Sequence, residues 1–208
     1  MFADRNDAGK QLSAKLNHYA RENVVILAIP RGGLPVASVV ARALRAPLDV
    51  ALIKKLGHPF NKEYAIGAIS LNNVVLGDTL GVSERYIKEE TQGVRDILKK
   101  RYDQYYKNNS PQNLKDKTVI VIDDGIATGN TLMATVQLVK EQQAAKIVVA
   151  IPVAPKMAIT KFEDTPLVDE VVCLSAPFNF QAVGQFYKKF NQLTDEEAIA
   201  ILKSANTQ

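Results

Sequence analysis

Residues 119–131 read Val-Ile-Val-Ile-Asp-Asp-Gly-Ile-Ala-Thr-Gly-Asn-Thr, and this run constrains the fold more than any other part of the chain. Four apolar β-branched residues form a buried strand, two carboxylates stand at its carboxyl end, and a turn of small residues leads into a helix. Asp123 and Asp124 can accept hydrogen bonds from two neighbouring hydroxyls. The Thr128–Thr131 turn aims backbone N–H groups and hydroxyls at an anion on the helix N-terminus. That order suits a sugar phosphate. Strands ending in Asp and loops holding Gly occur in any doubly wound protein, but paired Asp with a correctly spaced Thr-Gly-x-Thr is far more restrictive. A Walker-type loop is excluded because its Lys-Ser/Thr pair is absent, and no Gly-x-Gly-x-x-Gly occurs in the chain.

The rest of the pattern alternates strands and helices. Leu12, Leu16 and Tyr19 repeat at helical spacing, and Val24 to Ile29 read as a buried strand. Val36, Val39, Val40 and Leu44 predict a helix ending before Pro47, with a strand from Val50 to Ile53 after it. Ala65 to Leu71 and Val74 to Leu76 flank an Asn72-Asn73 hairpin turn. Ser83 to Lys107 reads as a charged helix whose apolar face is Ile87, Val94, Ile97, Leu98 and Tyr102. Ile147–Ile151 and Val168–Leu174 are strands around a helix near Pro155–Phe162, and Thr194-x-x-Glu197 starts a final helix with a capping box. Repeated β-then-α units imply an α/β fold, a mainly parallel sheet with helices on both faces and ligands outside the carboxyl ends of the strands. One domain is expected over residues 1–208, with a core at about 8–56 and 117–175 and a small hood or flexible-loop insertion at about 57–116, joined by the C-terminal segment 176–208.

With 208 residues and 47% hydrophobic content, the chain can bury one sizeable core. The polar start and the lack of any apolar run near the roughly 20 residues of a membrane span predict a cytoplasmic protein without a membrane partner. Cys173, the single cysteine, lies in an apolar run and reads as a buried thiol, so neither a disulfide framework nor a Cys/His metal site is available. The net charge of +4 suits a polyanionic ligand but decides nothing alone.

Further candidates vary in specificity. In Pro30-Arg31-Gly32-Gly33 the glycines admit close backbone approach and Arg31 offers a bidentate fork to phosphate oxygens, although a plain strand-to-helix turn reads the same way. Lys54-Lys55 closes the second expected strand, with ordinary surface lysines as the alternative. His58 and Glu63 are loop residues capable of proton transfer. Phe178, Phe180, Phe186, Tyr187 and Phe190 form an aromatic group that either packs in the core or stacks on a nucleobase.

The 119–131 run resembles the phosphoribosyl-pyrophosphate (PRPP) signature of type I phosphoribosyltransferases, and the whole chain is similar to bacterial stand-alone members without an assigned base. The resemblance implies a Rossmann-like core and a glycosyltransferase (pentosyltransferase) that moves the 5-phosphoribosyl group from PRPP to a nitrogenous base, releasing pyrophosphate, in nucleotide salvage or nucleoside metabolism. It implies that Asp123 and Asp124 hold the ribose hydroxyls, and that Gly125, Ala127, Thr128, Gly129, Asn130 and Thr131 form the 5′-phosphate loop. It also implies that Arg31, Gly32 and Gly33 bind pyrophosphate with Lys55, the Lys54-Lys55 pair resembling the Arg-Lys pair of orotate phosphoribosyltransferases. Arg31, Lys55, Asp123 and Asp124 are thus the expected catalytic residues. Mg²⁺ is the implied cofactor, carried by PRPP itself with no direct protein ligand and with water-mediated contact to Asp123 and Asp124. In 6-oxopurine enzymes the residue before Thr-Gly is an Asp general base. Here it is Ala127, as in adenine phosphoribosyltransferases, which argues against hypoxanthine and guanine. The alternative is a PRPP-binding regulator that contacts nucleic acid without turnover. The mixed charges of the 83–107 helix argue against a nucleic-acid face. A homodimer is an open alternative.

Overall fold

The apolar runs of the sequence lie side by side because each must bury both of its faces. The computed structural model describes residues 1–107 and 110–207, and the side chain of Glu63 also lies outside the described residues. The elements are α1 (Arg5–Leu16), β1 (Val24–Ala28), α2 (Gly33–Leu44), β2 (Leu48–Val50), β3 (Lys54–His58), β4 (Asn61–Ile69), β5 (Val74–Leu76), α3 (Glu84–Tyr106), β6 (Thr118–Ile122), α4 (Asn130–Glu141), β7 (Lys146–Val153), α5 (Lys156–Glu163), β8 (Glu170–Ser175) and α6 (Asp195–Ala205). The main sheet is parallel throughout, in the order β2-β1-β6-β7-β8.

Alternate residues of β1 and β6 serve two separate cores. Ile26, Ala28, Ile120 and Ile122 pack with Leu12 and Leu16 of α1, Leu34, Val36 and Val40 of α2 and Leu202 of α6. Val25, Leu27, Val119 and Val121 face the other way, against Leu132, Val136 and Val139 of α4 and Phe162 of α5. This period-2 division explains why the strands read as unbroken apolar runs. The strand order reverses between β1 and β6, and in open α/β sheets the crevice at such a point receives the ligand.

The hood carries a second, antiparallel sheet in the order β3-β4-β5. Leu56, Ile66, Ile69, Val94 and Leu98 form a small core of its own, and Ala68 seats it on Ala134 and Leu138 of α4. Four expectations shift. The strand predicted at Val50–Ile53 is β2 at Leu48–Val50, pulled toward the amino end by pairing Ile26 with Leu48 and Ala28 with Val50. Asp49 thereby sits buried in a strand, a position sequence patterning argues against. The Tyr106 hydroxyl bonds its Oδ1, and Gln112 N–H (2.7 Å) donates to its Oδ2. Lys54 and Lys55 consequently open β3 of the hood sheet instead of closing a core strand. Ile97 is 43% exposed, because the buried stripe of α3 runs through Thr91, Val94, Leu98 and Tyr105. The hairpin at Asn72-Asn73 uses a four-residue connection, 70–73, closed by Ser70 N–H to the Asn73 carbonyl (2.9 Å). The Thr194–Glu197 capping box forms as read.

Tyr106 links the hood helix to the core sheet through a buried carboxylate. Replacing it with Phe leaves Asp49 short of a donor and is expected to cost about 1–3 kcal/mol, read as a lower midpoint in chemical denaturation.

Candidate active site

The loops after β1 and β6 meet at the switch point. A Cβ on Gly32 would fall 2.1 Å from Asp124 Oδ2, and one on Gly33 would fall 2.6 Å from the Ile122 carbonyl oxygen, so only glycine lets the Arg31 loop lie on the end of β6. The cleft above this contact has a volume of about 590 Å³. Arg31, Gly32, Asp123, Asp124 and Thr131 line it, together with Arg5, Phe190, Gln192 and Leu193. Five of the expected substrate-binding residues are therefore brought together around one space. Lys55 stands on the hood sheet, paired in register with Ala68, outside the lining of this cleft.

The carboxylates are held in a defined way. Asp124 N–H donates to Asp123 Oδ1 (2.8 Å), Arg5 Nε donates to Asp124 Oδ2 (2.8 Å), and the Tyr187 hydroxyl donates to the Asp124 carbonyl (2.6 Å). Burial pushes both acids above the usual carboxylate range. At Asp123 the neighbouring Asp124 adds to that rise, whereas at Asp124 the Arg5 guanidinium opposes it. Burial also drives the Tyr187 phenol up, so it acts as a hydrogen-bond donor. Arg31 is only 3.9 Å from Asp195 Oδ1 with both side chains more than a third exposed, a contact worth little that a more highly charged anion would displace.

The Ala127–Thr131 turn leads into α4 with Gly129 at the N-cap in the left-handed region (φ 70°), where a Cβ would also strike the Phe162 ring at 2.7 Å. Ala127, Thr128 and Thr131 are exposed, which leaves the first turn of α4 open to an anion. Lys161 Nζ donates to Asn130 Oδ1 (2.8 Å), adding a cation beside the turn. Gly125 is buried at the bend after Asp124.

Arg5, Gln192 and Lys161 were missed in the sequence. Each comes from an element distant in the chain, and nothing in its local pattern separates it from a surface residue. Of the aromatic group, Phe178 points fully into solvent, while Phe180, Phe186, Tyr187 and Phe190 pack with Phe2. Phe190 reaches the cleft, but the Arg5 guanidinium covers one of its faces at 3.9 Å from the ring centre. His58 lies at the β3–β4 tip, its Nδ1 accepting from Phe60 N–H (3.3 Å), away from the cleft. Cys173 is half-buried, and burial pushes its thiol up. Among the described residues no group of three or more His, Cys, Asp or Glu gathers to hold a metal ion, and no helix is long and apolar enough to cross a membrane.

A parallel five-stranded sheet with helices on both faces, in this strand order, is the α/β type I phosphoribosyltransferase fold. The chain belongs to the phosphoribosyl transferase domain family, whose description matches residues 4–186. It is 40% identical over 213 residues to a protein of Mycobacterium tuberculosis named provisionally as a phosphoribosyl transferase. That alignment covers 99% of this chain and 47% of the relative, so the chain spans about half the length of the relative it matches. A uracil phosphoribosyltransferase of Mycoplasma genitalium is 43% identical over 60 residues, 28% of each protein. The crystal structure of the protein TT1426 from Thermus thermophilus is similar over 98% of both chains, with a TM-score of 0.90 and 38% identity.

The Gly32 contact yields a direct comparison. Gly32→Ala must displace the Asp124 carboxylate and is expected to lower stability by about 1–3 kcal/mol. Gly93→Ala, in α3 where an added Cβ meets nothing within 4 Å, should raise it by about 0.5–1 kcal/mol. Thermal unfolding of the two variants checks both signs.

Proposed function

We propose that this chain binds PRPP with Mg²⁺ and transfers its 5-phosphoribosyl group to a nitrogenous base, releasing pyrophosphate. The observation that carries this reading is the convergence on one cleft of the paired carboxylates, the Arg31-Gly32-Gly33 loop and Thr131 at the open N-terminus of α4. Asp123 and Asp124 accept hydrogen bonds from the ribose 2′ and 3′ hydroxyls, and residues 125 and 127–131 receive the 5′-phosphate. Arg31 leaves its weak contact with Asp195 to meet pyrophosphate beside the Gly32 and Gly33 backbone. Lys55, at the junction of core and hood, is assigned as a second cation for the same group.

As the C1–O bond of PRPP lengthens, positive charge grows on the ribose and negative charge on the leaving pyrophosphate. The chain's task is to hold and neutralise the departing anion while the base attacks from the far side. Mg²⁺ would be carried by the polyphosphate itself, with Asp123 and Asp124 reaching its waters and not the ion. Bound Mg²⁺ supplies charge neutralisation on pyrophosphate. The uracil in the name of the Mycoplasma protein is not transferred to this chain, because that match covers only 28% of it. Ala127 leaves the loop without the carboxylate a 6-oxopurine uses for proton transfer.

Isothermal titration with PRPP and Mg²⁺ tests the assignment. Wild type should bind, and Asp124→Asn should weaken binding by about 1–3 kcal/mol, since a sugar hydroxyl loses its charged acceptor. No binding at millimolar PRPP would sink the reading. Arg31→Ala should reduce kcat by more than it weakens PRPP binding, with Lys55→Ala in parallel, because these contacts strengthen as pyrophosphate departs. A regulator of the same fold shows no turnover to reduce.

A competition assay with limiting PRPP and a mixture of adenine, hypoxanthine, guanine, uracil and orotate reads the acceptor. Hypoxanthine and guanine should be poor substrates, and dominant formation of inosine or guanosine monophosphate would overturn the weight placed on Ala127.

A further inference from the structure

Arg5 enters the cleft from the first turn of α1, far in sequence from every loop assigned to the substrate. Three contacts fix its guanidinium. Nε donates to Asp124 Oδ2 (2.8 Å), Nη1 donates to the Asn191 carbonyl (2.8 Å), and the group lies 3.9 Å from the centre of the Phe190 ring. The Arg5 and Asp124 side chains are each only 12% exposed. A planar guanidinium can stack by its face and donate along its edges at once, which a lysine cannot reproduce.

The segments that deliver these groups are joined to each other. Phe2 N–H donates to the Phe186 carbonyl (2.8 Å), Lys188 N–H to the Phe2 carbonyl (2.9 Å) and Lys189 N–H to the Ala3 carbonyl (3.0 Å). Asp4 caps α1 through Asp7 N–H (2.9 Å), which sets the direction in which Arg5 leaves the helix. From the same C-terminal stretch, Tyr187 holds the Asp124 carbonyl. Asp124 is thus gripped at its backbone by one terminal segment and at its carboxylate by the other.

We propose that Arg5 is a positioning residue of the sugar-phosphate site, holding Asp124 in place and supplying the counter-charge that lets it serve a ribose hydroxyl as an acceptor. This rests on the PRPP reading above. A buried ion pair is a weak device for stability alone, since well-packed apolar residues of the same volume serve as well. This pair instead borders an open cleft, beside a second carboxylate. A buried carboxylate without a counter-charge takes up a proton and no longer accepts from both oxygens. The groups facing Asp124 are Asp123 from its own loop, Arg5 from α1, Tyr187 from the C-terminal segment and the Gly32 backbone of the β1–α2 loop, with Arg31 lining the same cleft. The Arg5 charge opposes the upward push of burial on Asp124. Removing it raises the pKa further, so the acceptor form disappears at a higher pH than in wild type.

Arg5→Gln keeps a donor and removes the charge, and Arg5→Lys keeps the charge. Two readouts follow both variants and wild type from mildly acidic to neutral pH. One is the Asp124 carboxyl titration by carbon-13 NMR, identified through Asp124→Asn, and the other is PRPP affinity. Arg5→Gln should move the titration and the acidic limb of PRPP binding upward together by about one pH unit, roughly a tenfold loss of affinity on that limb. Arg5→Lys, which keeps the charge without the stacked fork, should restore the limb in part. If wild type binds PRPP and Arg5→Gln weakens it equally at every pH with the titration unmoved, the Arg5 role falls and the PRPP reading stands. If wild type does not bind PRPP, both fall. Should Arg5→Gln not fold, Phe190→Leu withdraws the stacking support and leaves the charge, so a smaller upward movement is expected of it, an unmoved limb again overturning the role.

Discussion

The approach of the β1–α2 loop to the end of β6 is the constraint around which this molecule is built. Parallel pairing of Ala28 with Ile122 brings the two strand ends level, and the backbone of Gly32 and Gly33 then lies directly on Asp124 and Ile122. The space left for a side chain at Gly32 is smaller than a carbon atom needs, so the loop and the carboxylates share one volume. The substrate-facing loops of the sheet take their positions from that contact. Arg31 is presented at the mouth, Asp124 is pressed inward where it needs a cation, and α4 starts one short turn away.

Burying two adjacent acids is costly unless they are bonded and compensated. Asp123 is satisfied by its neighbour's N–H, and Asp124 by Arg5 and the joined terminal segments. The positive groups therefore serve two ends. Arg5 compensates the buried carboxylate pair, while Arg31 makes a half-exposed 3.9 Å contact with Asp195 at the mouth of the cleft. The hood attaches to this core by small-residue packing at Ala68 and by Tyr106 reaching Asp49, which ties it to the sheet.

The division between what was legible and what was not follows the range of the interactions. The parallel α/β architecture, the helices around the sheet and the Asp123–Thr131 loop could be read locally, because burial on both faces demands apolar runs and a tight strand-to-helix turn demands small residues at a fixed spacing. Within the Pro30–Gly33 loop the choice of glycine was readable, though the partner that requires it was not. The boundary of β2 was misplaced because Asp49 looks unfit for a buried strand until Tyr106 and Gln112 are brought to it. Lys55 followed that error onto the hood sheet, and Ile97 was misassigned because one step along α3 turns a residue from core to solvent.

By itself the sequence determined the fold class, the strand carrying the carboxylates and the glycine-containing loops beside them, since each depends on the order of neighbouring residues. Only the tertiary structure decided which charges share the cleft. Arg5 lies 119 positions from Asp124 along the chain yet donates to it at 2.8 Å, and the Asn191 carbonyl lies 186 positions from the arginine it receives. Contacts of that separation leave no periodicity or spacing in the sequence. They arise because pairing of the terminal segments, through backbone groups that every residue possesses, carries Arg5 and Phe190 to the same end of the sheet.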